Sequence, residues 1–457
     1  MEWWTDMMPI QTEYETNNTS SPKENKIIDA NQIVLENNNR VMLIRQRISR
    51  IFYLHKFFDY PISLKWETFQ NMGFVRTIKA GIGYIYSVLF KKEEHSLEDF
   101  YINRFGKPLY RMFFEDYTEK VWGVHPSKLG ADWGSQRVKG LSLLTILKDI
   151  FKKKIFSMND VDQKDIETSL IERFIYPKYG PGQLWEIIAK EIGKLSGKLY
   201  MNQEIFRINI EDMKIVSVDI RLDDGEERNQ PCDYFLSSMP IKDLFAAFSG
   251  IKIPEPIMQI AAGLQYRDFI TVGLLVNKLK IKNKTKIKTY QERIPDTWIY
   301  IQERDVKIGR LQIFNNWSPY LVADYENTLW IGLEYFCTEG DELWSMEKND
   351  FIKMAIQELV KMDVLSENEV LDSIQIKVKK AYPSYFGSYH QFDEVKLFLD
   401  KITNLYCIGR NGQHRYNNMD HSMKTAMIAV NNIQNGVNSK ENLWSVNTEV
   451  EYHETKK

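Results

Sequence analysis

The chain has 457 residues, with 60 Lys and Arg against 62 Asp and Glu, for a net charge of -2. Its 24 Phe, 24 Tyr and 11 Trp can fill a large core, which excludes whole-chain disorder. The charge balance excludes a bulk basic field able to hold nucleic acid or an anionic membrane.

Length alone suggests about three lobes. Cys232, Cys337 and Cys407 lie far apart and form no CxxC pair. That argues against a disulfide framework and structural zinc, and for a reducing, cytoplasmic compartment. No apolar run reaches the roughly 18 residues of a spanning helix. The start Glu2-Trp3-Trp4-Thr5-Asp6 reads as neither signal peptide nor anchor.

Residues 41–60 combine β-branched and aromatic density around His55-Lys56, predicting a hairpin ended by Pro61. Residues 66–90 turn helical. Ser96-Leu97-Glu98-Asp99 is a capping box opening a helix that carries Phe100, Phe105, Leu109 and Phe113. Residues 64–172 read as mostly helical. Beyond Tyr176-Pro177-Lys178-Tyr179-Gly180-Pro181-Gly182, a helix places Leu184, Ile187, Ile188, Ile192 and Leu195 on one face, with Gly197 as C-cap. Strands follow near Leu199 and over 205–208, 214–222 and 233–238, with Asp224-Gly225 as a turn. Residues 269–339 alternate as a sheet, and the lysine-rich run 278–288 reads as a solvated edge strand or hairpin. A helix over 350–362, a strand over 404–408, a tight loop over 409–412, a helix over 421–434 and a loose polar tail complete the chain.

The strongest local signal is GRNGQHRYNNMDHS, residues 409–422, between that strand and an amphipathic helix with Met423, Ala426, Met427, Val430 and Ile433 on one stripe. Two glycines and a helix N-terminus suit an anion. A plain strand–helix turn with Asp420 as N-cap suits the composition equally well. Gly81-Ile82-Gly83 lacks a third glycine and follows a helical stretch, so it is no dinucleotide fingerprint. Scattered histidines offer no metal-ligand spacing, so no metal site is expected.

Residues 409–422 resemble the C-terminal flavin motif of the amine-oxidase-like FAD superfamily, and are most similar to that of UDP-galactopyranose mutases. His414 stands where those carry an aromatic. YPKYGPGQLWE (176–186), Asn202-Gln203-Glu204-Ile205, Lys120-Val121-Trp122-Gly123-Val124 with WGSQRV (133–138), and WIY (298–300) with GRLQIFNNWSP (309–319) resemble further family motifs in the family's order.

The resemblance implies an α/β, Rossmann-like FAD/NAD(P)-binding flavoprotein fold. Its FAD-binding domain would come from 171–253 and 399–436. A β-sheet substrate domain would come from 41–64 and 254–398, and a helical lobe from 65–170. Residues 1–40 would be a remnant of the N-terminal region, and 437–457 a tail. Gly180, Gly182, Ile205, Gly409, Arg410, Met419, Asp420 and His421 would meet FAD. Arg137 and Arg310 would clamp a diphosphate, aided by Tyr300, Tyr382 and Tyr416.

The implied reaction rearranges a nucleotide-activated sugar for cell-surface polysaccharide synthesis, with the flavin carrying the hard chemistry. An FAD-dependent oxidoreductase of the amine-oxidase or protoporphyrinogen-oxidase kind shares the same flavin motifs. The family's opening G-x-G-x-x-G unit is not found, and residues 2–10 resemble sequence just beyond it. The expectation is therefore weak FAD retention, or a separate N-terminal FAD-binding piece. A non-catalytic chain, or half of a split enzyme, is the remaining reading.

Overall fold

The computed structural model describes residues 2–11, 39–60, 62, 66–130 and 173–446. Its contacts divide the chain into two units, one from Met1–Lys198 and Phe269–Lys377, the other from Leu199–Asp268 and Val378–Tyr452.

The first unit is organised by a seven-stranded sheet in the order Val370–Pro383, Tyr266–Val276, Leu329–Cys337, Arg310–Ile313, Trp298–Ile301, Ser49–Tyr53, Lys56–Asp59. Alternation explains its two faces. Ile299, Ile301, Leu311, Ile313, Ile331 and Leu333 point to one side, where Phe351, Ala355 and Leu359 of the helix Lys348–Lys361 close the core. That helix covers the span expected near 350–362.

The expected hairpin is narrower than residues 41–60. Ser49–Tyr53 and Lys56–Asp59 form it, and Leu54 and His55 both take the left-handed conformation that a tight turn requires. Met42–Gln46 belongs elsewhere: it pairs antiparallel with Arg173–Pro177, with Ile44 opposite Ile175.

Five helices follow, Trp66–Met72, Phe74–Leu89, Leu97–Phe105, Lys107–Phe113 and Glu115–Trp122. The capping box is present, with Ser96 and Asp99 bonded reciprocally. The helix it opens is shorter than expected, and Leu109 and Phe113 fall on the next one. The break is at Gly106, whose φ is 78°. A Cβ there would lie 2.6 Å from the carbonyl carbon of Gly83, so two helices cross through two glycines.

The helix Pro181–Lys194 buries Leu184, but Ile192 is exposed and Leu195 is 84% exposed. Its end differs too: Ser196, not Gly197, takes the left-handed φ of 65°, while the Gly197 N–H donates to Ile192 O at 2.9 Å. The lysine-rich run 278–288 is not a strand. Its lysines point outward and Leu279 and Ile281 lean on the core. The Asn283 side chain bonds Ile287 O and Thr285 N, replacing a ladder with local side-chain bonds.

The second unit holds a four-stranded sheet in the order Glu227–Pro231, Lys214–Leu222, Gln203–Glu211, Phe248–Ser249. The Asp224-Gly225 turn joins its first two strands, but no strand forms around Leu199. Phe235–Ser237 does not close this meander as expected. It pairs in parallel with Leu405–Cys407 in a separate two-stranded sheet. Leu244, Phe245, Ile260, Phe392, Val395 and Leu405 share this unit's core.

Residues 437–446 are not loose. Leu443 is fully buried, Lys440 Nζ donates to Ile402 O at 2.6 Å, and Trp444 Nε1 donates to Asp400 at 2.9 Å.

Candidate functional site

In the first unit, the sheet face away from the core carries the expected site residues Tyr300 and Arg310. Alternation that sends Ile299 and Ile301 inward leaves Trp298 and Tyr300 on the opposite face. Register then sets Tyr300 beside Arg310, and Arg310 beside Glu334. Arg310 Nη1 lies 3.2 Å from Glu334 Oε2, and its Nε donates to Tyr117 Oη at 2.7 Å. The guanidinium stacks over Trp298 at 5.0 Å and Phe336 at 4.7 Å. Gln312 Nε2 donates to the other oxygen of Glu334. Tyr60, Trp298 and Tyr117 surround the Tyr300 ring at 4.5, 6.1 and 5.5 Å.

Electrostatics follow from burial. Burial raises the Glu334 carboxyl pKa, and the adjacent Arg310 opposes that. Burial also raises the Tyr117 hydroxyl. Tyr60 is held well above the ordinary phenol value, first by Tyr300 and then by burial. The result is an aromatic wall around a cation whose charge is balanced by its strand neighbour. Such a wall can stack a flat or sugar-like ligand, and Arg310 can meet an anion only in competition with Glu334.

Lys120, in the first family-like motif, donates to the carbonyls of Ile301, Glu303 and Ile308 at 3.4, 2.6 and 3.2 Å. Burial lowers its pKa to about 8. It ties the helix Glu115–Trp122 to the strand ends that carry Tyr300 and Arg310. Arg137, with the second half of that motif, lies outside the described residues. Gly180 takes a φ of 89° immediately before Pro181, and Gly182 has open space around its Cα. The turn closes on itself, with Gln183 N donating to Gly180 O and Tyr179 N to Gln183 Oε1.

In the second unit the strand Leu405–Cys407 leads into one helical turn, Gly409–Gly412, and then the helix Met419–Gln434. Gly409 has a φ of 70°, and its N–H donates to Thr425 Oγ1 at 2.9 Å. A Cβ on Gly412 would sit 2.4 Å from Ser237 O, so this glycine admits the neighbouring strand. Arg410 pins the loop: Nε and Nη2 donate to Asn417 O at 3.2 and 2.7 Å, and Nη1 to Ala381 O at 3.1 Å. Tyr382 and Tyr416 stack at 5.9 Å beside that guanidinium.

His414 fills the place of an aromatic. It is fully buried, edge-on to Tyr266 at 4.8 Å and against Tyr389 and Phe392. Its Nε2 meets Ser384 O at 3.0 Å, and burial lowers its pKa to about 4, so the ring is neutral.

The helix begins at Met419, two residues earlier than expected. Asn418 occupies the N-cap position without a side-chain cap bond, so Asp420 is in the first turn, not the cap. The Asp420 carboxylate lies 3.3 Å from His421 Nδ1. The expected apolar stripe is not the buried face. Thr425, Ala429 and Asn432 face inward, while Met419, Met427 and Val430 are exposed. Ile205 lies beside a register shift in the strand Gln203–Glu211, partly buried against that unit's core.

Sequence reading did not single out Tyr60, Tyr117 or Glu334, and named Trp298 only as part of the WIY motif. The available signal for Glu334 is a lone carboxylate inside the apolar strand Leu329–Cys337. Among the described residues no group of three or more His, Cys, Asp or Glu is placed to hold a metal ion.

No protein-family model matches the chain. Among solved structures, a reduced UDP-galactopyranose mutase matches with a TM-score of 0.69 at 19% identity, covering 89% of this chain and 80% of that one. The chain shares its fold. A protein from Exiguobacterium sp. assigned as a protoporphyrinogen oxidase matches with a TM-score of 0.55 at 13% identity, covering 80% of this chain and 76% of the other. The mixed α/β class expected from the sequence is the one these matches share.

Proposed function

We propose that the chain is a flavoenzyme of the UDP-galactopyranose mutase type, acting on a nucleotide-activated sugar. The observation that carries this reading is the fold shared with that mutase over 89% of the chain.

The described residues fit one end of FAD. Met419, Asp420 and His421 open a helix whose N-cap residue, Asn418, makes no side-chain cap bond, and Gly409 takes a positive φ in the segment before it. The positive end of that helix suits the pyrimidine edge of a reduced, anionic flavin. Gly180, Gly182 and Ile205 keep their assignment to the rest of the cofactor. The diphosphate bridge is less well served. The turn at Gly180 offers no N–H at Pro181, and Gln183 N is already bonded. When bound, the cofactor supplies the bond-making chemistry for which the sequence offers no paired nucleophile and base.

The chain's own residues would bind and orient. Arg310 is preorganised by Glu334 and Tyr117, and Tyr300 provides a stacking face. Arg137, Tyr382 and Tyr416 keep their assignment to the diphosphate. Substrate specificity and a nucleotide sugar as partner both belong to this reading.

The full chain, loaded with FAD and reduced, is the sample for the test. UDP-galactose should bind to wild type and more weakly to Arg310→Lys, while a wild type that binds neither UDP nor UDP-galactose sinks the mutase reading. Flavin absorbance of the purified protein measures retention, which is expected to be substoichiometric.

A second reading, an FAD-dependent oxidoreductase, draws on a specific observation. The Arg310 charge is already balanced by Glu334, and the face around it is aromatic, which suits a flat, uncharged substrate. Anaerobic bleaching of the oxidised flavin band by an N-alkyl aryl amine, flat and uncharged at pH 7, with no UDP binding, would select it.

A further inference from the structure

The helix Phe74–Leu89 is packed with its small residues inward. Ala80 and Ser87 are buried, and Gly83 lies against Gly106 and Pro108 of the neighbouring helices. Its large apolar side chains point the other way. Phe74, Ile78, Ile82, Ile85 and Leu89 are all exposed, Phe74 to 80% and Leu89 to 69%. Spacings of three and four residues align them in one stripe along the helix. Trp66, Tyr86 and Phe90 extend the exposed surface with aromatic rings.

Charge identifies what this face would meet. Residues 74–92 contain Arg76, Lys79, Lys91 and Lys92 and no acidic residue. Of the carboxylates that flank the stretch, Glu94 is bonded to Arg104 at 2.6 Å and Glu93 lies 3.3 Å from His95, while Glu67 stands on the preceding helix. Pairing with a second copy in antiparallel fashion would set Arg76 and Lys79 against the partner's basic end, which is repulsive. An anionic surface is attractive to both ends at once. No helix among the described residues is long and apolar enough to cross a membrane, so the geometry is one of lying in the interface. The net charge of -2 does not oppose this, because the basic residues are local.

We propose that the helix Phe74–Leu89 docks on an anionic lipid bilayer, its apolar stripe in the acyl boundary, with Lys79 on the helix and Lys91 and Lys92 just beyond its end at the headgroups. The proposal does not rest on the flavin reading.

The test is co-sedimentation of the full chain with vesicles of phosphatidylcholine alone and of phosphatidylcholine with an equal part of phosphatidylglycerol. Binding to the mixed vesicles is expected, weakened by salt. Ile82→Glu with Ile85→Glu should lower it at least tenfold. Lys79→Glu with Lys91→Glu should lower it about fivefold per lysine. These side chains are exposed, so thermal unfolding should match wild type.

Three results would overturn the proposal. One is no binding to mixed vesicles at low salt. Another is a wild-type dimer that Ile82→Glu converts to monomer, which would make a second copy the occupant. The third is slow labelling of Ile82→Cys by a water-soluble maleimide without vesicles, which would mean that the chain's own residues cover the stripe.

Discussion

His414 is a titratable ring held where a neutral aromatic would serve as well. Its pKa falls from 6.5 to about 4 because the charged form is desolvated. The unfolded chain therefore binds a proton that the folded chain refuses across that interval. Stability is fully present above pH 6.5 and is lost as pH falls toward 4, by about 3 kcal/mol from this group. Urea unfolding at several pH values should show that slope, and His414→Phe should flatten it. An unchanged slope in the variant would assign the acid sensitivity to other groups.

The Arg310–Glu334 pair is the other residue on which a prediction turns. Arg310→Ala strands a buried carboxylate and should cost about 3–5 kcal/mol in urea unfolding. Replacing both members, as Arg310→Met with Glu334→Leu, should recover most of that, because no charge is left uncompensated. If the double variant is no more stable than the single, the aromatic stacking of Arg310, not its charge, holds the strand face together.

Helix contacts explain why similar sequence signals lead to different structures. Gly81 and Gly83 sit two residues apart in one helix, yet a Cβ on Gly83 would lie 2.3 Å from Pro108 Cδ, while one on Gly81 meets nothing within 4 Å. Gly83→Ala should therefore cost about 1–3 kcal/mol by forcing the crossing apart. Gly81→Ala should stabilise by up to about 1 kcal/mol through helix propensity alone. Thermal melts of the two variants, moving in opposite directions, check both statements. The helix Met419–Gln434 makes the complementary point. Its methionine stripe is the more apolar face, but the packed face is the one with Thr425, Ala429 and Asn432, because small and polar residues allow the strand Leu405–Cys407 and the Gly409 loop to approach.

Among the described residues, the two largest hydrophobic clusters have no residue in common. Leu333 belongs to the first and Leu244 to the second, and both are fully buried. Each leucine-to-alanine change should cost about 2–5 kcal/mol. The two costs should add within about 0.5 kcal/mol, since the sites share no partner. Marked non-additivity in equilibrium unfolding would mean that the cores are energetically coupled. The shared fold with a UDP-galactopyranose mutase extends over both units, so a functional assay is best run on the full chain.

Period, turn chemistry and motif order were enough to read the α/β class, the sheet over 269–339, the Ser96–Asp99 capping box, the Asp224-Gly225 turn and the presence of a helix after the 409–422 motif, though not the helical turn Gly409–Gly412 within it. These depend on neighbours in sequence, where each side chain's preference acts directly. Pairings between distant segments did not show in that way. Nothing local distinguishes a Met42–Gln46 strand that joins its own hairpin from one that joins Arg173–Pro177. Nor does it reveal that Phe235–Ser237 leaves the meander for Leu405–Cys407, or that Glu334 will face Arg310. The direction in which an amphipathic helix turns was equally hidden, and Phe74–Leu89 and Met419–Gln434 both keep large apolar residues outside. Local sequence sets where a backbone can bend and which faces differ. Which face is buried depends on what fits against it, and that is a property of the packed neighbours.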